Sequence, residues 1–210
     1  MSILYPAYFP NIAFFTAFVK NDDIIWETQG NYQKQTFRNR TYICNDRGKH
    51  ILSVPISHVG QSNGKQRNKE VRIDNSYPWQ RQHWRTLETA YRTSPFFEFY
   101  EDEIQPLYDT NFEYLMEFNL KTIETICDCL QLEMPTAQTE TFTLGTNTKI
   151  DYRHLISVKN TITLAQAEYV QVFGDRHGFI SNLSILDLLF NLGPQAITYL
   201  KEAKLSLANA

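Results

Sequence analysis

Three cations, Lys34, Arg38 and Arg40, stand at even positions in the run from Tyr32 to Arg40, bracketed by the phenols of Tyr32 and Tyr42. In extended backbone, side chains alternate faces. Tyr32, Lys34, Thr36, Arg38, Arg40 and Tyr42 then share one face, and Phe37, Thr41 and Ile43 share the other. Like charges that close repel one another unless water or a bound anion screens them. Two readings follow: the wall of a site for a phosphate or carboxylate, or a solvated strand edge whose cations discourage edge pairing. Asn39 falls on the opposite face, so a role in the site needs a bulge that turns it inward; otherwise it makes a structural bond.

Proton-transfer chemistry has three candidates. His83 lies beside Trp79 and Trp84, and Asp151 and His154 fall in the tetrad Asp151-Tyr152-Arg153-His154. An imidazole with a carboxylate can act as a general base. The structural alternatives are a packing histidine and a surface loop. Trp79 or Trp84, with Tyr8, offer rings on which a base or sugar could stack. The acidic cluster Glu98, Glu101, Asp102 and Glu103 has no histidine at ligand spacing and reads as a solvated helix face. Cys127 and Cys129, two apart in a helical pattern, point to different sides. No metal site and no organic cofactor signature is read, and the cofactor stays unknown.

These residues need elements to hold them. Residues 2–5 read as a short strand, Tyr8-Phe9-Pro10-Asn11 as a turn, and Ile12 to Val19 as a helix capped by Asn11. Ile24 to Glu27 is a second strand, which completes a βαβ-like outline. Its first turn would put Tyr8, Phe9 and Asn11 at a helix N-terminus, where ligands bind in such units. The spacing then predicts a hairpin over about 32–56, turning at Asn45 to Gly48, and a mobile loop over 57–70. A strand is expected at Val71 to Asp74 and helices near 76–91 and 111–132. Strand-like runs follow at 140–144 and 169–173. Ser184, with Asp187 three residues on, has the spacing of a capping box for a helix ending at Gly193; another helix follows to about Ala203.

Size and composition set outer limits. At 210 residues, with 42% hydrophobic and 20% charged residues, the chain reads as one globular domain, 1–210, with a real core. The fold class is α/β, with α+β as the alternative. The expected form is a three-layer-like domain with a mixed sheet and a helical C-terminus. A net charge of −3 gives no global attraction to nucleic acid, so an anion site must be local. Three cysteines make no disulfide framework. No stretch reaches the ~20 apolar residues of a membrane span. The expected location is the cytoplasm.

Several of these segments together resemble the WbqC-like protein family, in a shorter branch. They are Tyr5 to Pro10, Tyr32 to Arg40, Leu52-Ser53-Val54-Pro55, Tyr169 to Phe173, and Gly178 to Pro194. Asn182 and Asp187, within the last of these, join Tyr8, Phe9, Asn11, Lys34, Arg38, Asn39, Arg40, Trp79 and Trp84 as ligand-binding candidates. The resemblance implies a bacterial protein of surface-polysaccharide (O-antigen-like) synthesis. It implies a transferase that uses a nucleotide-activated sugar or another anionic donor. The alternative is a non-catalytic partner that binds glycan or nucleotide. The expected partner is an anionic small molecule, a nucleotide or nucleotide sugar, with no nucleic acid.

Overall fold

The computed structural model describes residues 1–57, 66–143, 150–158 and 162–206. At its centre is a parallel sheet of three short strands. β1 (Ser2–Leu4) lies in the middle, β2 (Ile24–Trp26) on one side and β5 (Ile150–Asp151) on the other. β1 and β2 are buried throughout, which is why Ile24-Ile25-Trp26 is unbroken and apolar rather than alternating. The helix α1 (Ile12–Val19) joins β1 to β2, so the βαβ unit forms as its sequence predicts. Trp26 locks helix to sheet. Its ring stacks on Phe14 and Phe18, and its Nε1 donates to the carbonyl of Pro135 at 2.7 Å.

The antiparallel hairpin of β3 (Arg40–Asn45) and β4 (Gly48–Ser53) turns at Asp46-Arg47, with Gly48 at φ +97°. It is shorter than the expected 32–56. Residues 32–39 are irregular: Gln35 takes a left-handed φ of +59° and a turn runs through Phe37 and Arg38. The alternation expected of Lys34, Arg38 and Arg40 is therefore lost. Lys34 is exposed while Arg38 is buried.

The helices α2 (Trp79–Tyr91), α3 (Phe97–Ile104), α4 (Pro106–Asp109) and α5 (Leu115–Cys129) carry much of the remaining core. α5 starts later than its apolar period suggests, because Phe112 to Tyr114 lies along 71–73 instead. Ile73 N donates to Glu113 O and Leu115 N to Val71 O. Val71 to Asp74 makes single bridges, Arg72 with Tyr114 and Ile73 with Ile56, and no strand. No strand forms over 140–143 either; the pairing lies earlier, where Gln138 bridges Trp26, and residue 144 falls outside the described residues. Of the predicted loop over 57–70, residues 58–65 also fall outside. Its last part is tied down, Tyr32 N donating to Gln66 O and Asn68 N to Gly30 O.

The C-terminal third holds β6 (Thr163–Ala165), the short α6 (Gly174–His177), α7 (Ile185–Leu192), α8 (Ala196–Glu202) and β7 (Lys204–Ser206), with β6 and β7 antiparallel. Tyr169 to Phe173 is not a strand. Side-chain bonding replaces a ladder there: the Gln171 amide accepts from Ile180 N at 2.9 Å and donates to Ile180 O at 3.0 Å. Ser184 caps α7 through its hydroxyl, as the spacing predicts. The other half of the box does not form, because Ser184 N is already bonded to Tyr42 O and Asp187 turns inward. Among the described residues no helix is long and apolar enough to cross a membrane.

Candidate functional site

In open sheets of parallel strands, ligands bind beyond the carboxyl ends, where neighbouring strands lead off in opposite directions. β1 is such a point here, since the chain leaves it toward β2 on one side and reaches β5 on the other. The residues just past the three strand ends are Tyr5 after β1, Glu27 after β2 and Arg153 after β5.

Glu27 is fully buried. One of its oxygens accepts from Gln29 N at 2.8 Å, Gly30 N at 3.1 Å and Thr139 Oγ1 at 3.0 Å; the other lies 3.4 Å from Arg153 Nη1. Arg153 also grips Asp151 from two nitrogens, Nε and Nη2, the latter at 2.6 Å, and donates to Thr143 O. Burial alone would raise the Asp151 carboxyl, but the Arg153 bonds outweigh it and hold Asp151 below the ordinary aspartate value.

Against this end of the sheet lies the turn that carries Arg38. Phe37 N donates to Ile156 O at 2.8 Å and Thr36 bridges Ser157, so the turn docks on the chain leaving β5. The Arg38 guanidinium sits over the Tyr5 ring, 4.1 Å from its centroid, and donates to Thr36 Oγ1 at 3.3 Å. Arg38 is only 1% exposed, its Nε has no hydrogen-bond partner, and among the described residues no carboxylate forms an ion pair with it. Burial lowers its pKa, opposed by Tyr5, Tyr32 and Glu27. A buried cation without a counter-charge costs several kcal/mol unless something compensates it. The ring face of Tyr5 returns about 2 kcal/mol of that.

Arg40 is half-buried, and among the described residues its enclosed Nε also has no partner. Tyr32 lies within the field of both guanidiniums, yet burial still raises its phenol above the ordinary tyrosine value. Its hydroxyl donates to Asn39 Oδ1 at 3.2 Å while Asn39 Nδ2 donates to Val54 O at 2.9 Å. Asn39 thus makes the structural bond that was one of its two expected roles.

The other candidates lie elsewhere. Tyr8 and Phe9 are fully enclosed and line no mouth. Tyr8 OH joins His83 Nδ1 at 2.9 Å and Tyr108 OH at 2.8 Å, a buried chain walled by Trp79. Burial pushes His83 down to about 4. Trp79 is bound through Nε1 to Asn75, and Trp84 packs between Phe97 and Tyr108. Both belong to the core lining. The α1 N-terminus is filled by protein: Ile12 N donates to Leu183 O, Ala13 N to Asn182 Oδ1 and Phe14 N to Asn11 Oδ1. Asn11 and Asn182 therefore serve as caps, and no first-turn amide is left for an anion.

Asp187, at the far side of α7, accepts from Tyr169 OH at 2.5 Å, Tyr91 OH at 2.9 Å and Gln171 Nε2 at 3.0 Å. Burial raises its pKa even though these three bonds favour its charge. His154 is exposed next to Arg153, its Nδ1 3.0 Å from Asp151 O. The structure thus brings Arg38, Arg40, Asn39, Asp151 and His154 to one end of the sheet. It leaves Lys34 on the adjoining surface and the remaining candidates in the core. Tyr5, Glu27 and Arg153 were missed as site residues. The available signal was their position, one or two residues past the ends of short strands. Among the described residues no group of three His, Cys, Asp or Glu side chains is placed to hold a metal ion.

Comparison with known proteins agrees with the sequence pattern. The chain is 28% identical to "Uncharacterized protein Rv1507c" of Mycobacterium tuberculosis over 223 aligned residues, covering 92% of this chain and 91% of that protein. No solved structure matches significantly. The family model described as the WbqC-like protein family matches residues 5–164, a span that includes Tyr5, Glu27, Arg38, Arg40 and Arg153. The chain belongs to the WbqC-like protein family.

Proposed function

We propose that this protein binds an anionic small molecule at the carboxyl end of the β2-β1-β5 sheet and acts as a transferase on it. The favoured donor is a nucleotide-activated sugar used in bacterial surface-polysaccharide (O-antigen-like) synthesis in the cytoplasm. The carrying observation is Arg38: buried over Tyr5 and, among the described residues, with a free Nε and no paired carboxylate. An incoming oxyanion would supply the missing counter-charge, and Arg38 and Arg40 would hold it through short charge-assisted bonds. Lys34 would draw the donor in from the adjoining surface. Of the proton-transfer candidates, His154 suits the task best, being exposed beside Arg153 at the same end.

One feature favours a second reading, that of a non-catalytic glycan- or nucleotide-binding assembly partner. Asp151 is clamped by Arg153 and His83 is enclosed, which takes two of the three proton carriers out of play.

A melting-temperature screen of the intact protein against nucleotides, nucleotide sugars and inorganic diphosphate tests the site, since a ligand of the native state raises the midpoint. A rise in wild type that vanishes in Arg38→Met is expected; a rise of equal size in both would overturn it. Product formation from a nucleotide sugar and an acceptor panel then separates transferase from binding partner.

A further inference from the structure

A cleft of about 580 Å³ lies between α7, α8 and the segment leading to α6. That volume falls within the range of small-ligand sites. Its chemistry is the opposite of the Arg38 end. Among the described residues no lysine, arginine or histidine lines it. Its walls are the rings of Tyr169 and Tyr199, the amides of Asn191 and Gln195, and the carboxylates of Glu168 and Glu202.

The ring wall is fixed in advance. Tyr169 and Tyr199 meet edge to face, with centroids 5.3 Å apart and planes at 86°. Each is anchored through its hydroxyl, Tyr169 to Asp187 and Tyr199 to Ala167 O. Asn191 donates to Asp187 O, which leaves its side-chain oxygen as an acceptor. At the rim Val170 is 87% exposed, an apolar side chain with almost no packing of its own. Rigid aromatic surface offers apolar contact at small entropic cost. Planar amides and carboxylates present two groups in one plane, which suits adjacent hydroxyls.

We infer that this cleft is a binding site for a neutral, hydroxyl-rich ligand, one or two units of a saccharide chain. The C–H faces of the sugar ring would lie on Tyr169, Tyr199 and Val170. Paired hydroxyls would bond Gln195, Asn191 and the two glutamates. With no cation lining it among the described residues, the cleft suits a neutral ligand better than the anionic donor assigned to the Arg38 end. All of its lining residues lie past the 5–164 span that matches the family, so this site does not depend on the reading given above.

Saturation-transfer NMR on the full chain with neutral trisaccharides, maltotriose among them, tests the inference. Transfer to sugar ring protons is expected at millimolar ligand. Glu168→Ala with Gln195→Ala, both at exposed positions, should weaken binding by about tenfold, the effect of losing one or two hydrogen bonds. Arg38→Met should bind the trisaccharide as wild type does, whatever becomes of the donor. The inference is overturned if no trisaccharide gives transfer, if the double variant binds as tightly as wild type, or if spermidine occupies the cleft and neutral sugars do not.

Discussion

The Arg38 guanidinium lies 4.1 Å from the centre of the Tyr5 ring, and no acid pairs with it among the described residues. A cation held this way is kept at a cost to the fold, so its removal should separate stability from binding. Arg38→Met, which fills similar space without charge, is expected to match wild-type stability or exceed it by about 1–3 kcal/mol in the absence of ligand. Loss of anion-dependent stabilisation should accompany that gain. Urea unfolding with and without nucleotide sugar measures both. A variant that unfolds in water would mean that Arg38 serves the fold rather than a ligand.

Gly30 offers a gentler test of the same geometry. A Cβ at this position would overlap the Tyr5 hydroxyl. Gly30→Ala should push the phenol away from Arg38, weakening ligand binding by about tenfold with a stability change of about 1 kcal/mol. Titration calorimetry with the ligand found in the screen reads the first effect, and thermal unfolding the second.

His83 sets an acid limit. Its pKa falls from the ordinary 6.5 to about 4 because it is buried as neutral imidazole, with His50 adding a smaller push. Between those values the unfolded chain binds more protons than the folded one. The contribution of His83 is thus intact above pH 6.5 and fades as pH falls toward 4, by up to about 3 kcal/mol. His83→Phe should flatten stability over that window. Unfolding free energies at pH 7, 6, 5 and 4 check it; equal slopes in both proteins would refute the assignment.

Asp187 has the opposite sign. Its folded pKa is raised, so its contribution is complete below the unfolded value and is lost as pH rises through the folded one. Asp187→Asn should remove that dependence and keep an acceptor for one tyrosine. Asp187→Ala leaves the hydroxyls of Tyr91 and Tyr169 without their acceptor, while Gln171 keeps Ile180 O, and should cost about 2 kcal/mol or more. Parallel melts of the two variants across pH distinguish them.

The elements built from nearby residues were readable in the sequence. Ile12 to Val19 is apolar but for Thr16 behind a capping Asn11, Asp46-Arg47-Gly48 forms the hairpin turn, and Ser184 opens α7. What stayed hidden depends on distant partners. Arg38 was visible as a cation, but its burial comes from a left-handed turn at Gln35 and from β5, a strand of two residues with no local signature. Lys34 and Arg38 therefore part company, although even spacing placed them together. Asp187 had the spacing of a cap and turned instead to Tyr91, 96 residues away. His83, beside two tryptophans, read as either a proton carrier or a packing histidine, and its hydroxyl partner Tyr8 lies 75 residues earlier.

The closure of α1 bears on how the chain is made. The amide of Ala13 waits for Asn182, 169 residues downstream, and the carbonyl of Phe9, which takes one bond from Thr41, waits for its second from the hydroxyl of Ser184. As the polypeptide leaves the ribosome, its first helix and the turn before it stay incompletely bonded until the segment opening α7 has emerged. Contacts of such long sequence separation form slowly, and in the interval the apolar side chains of α1 are exposed to partners of the wrong kind. A nascent chain halted before residue 182 should therefore engage chaperones through Ile12 to Val19, and release them once the last helices arrive.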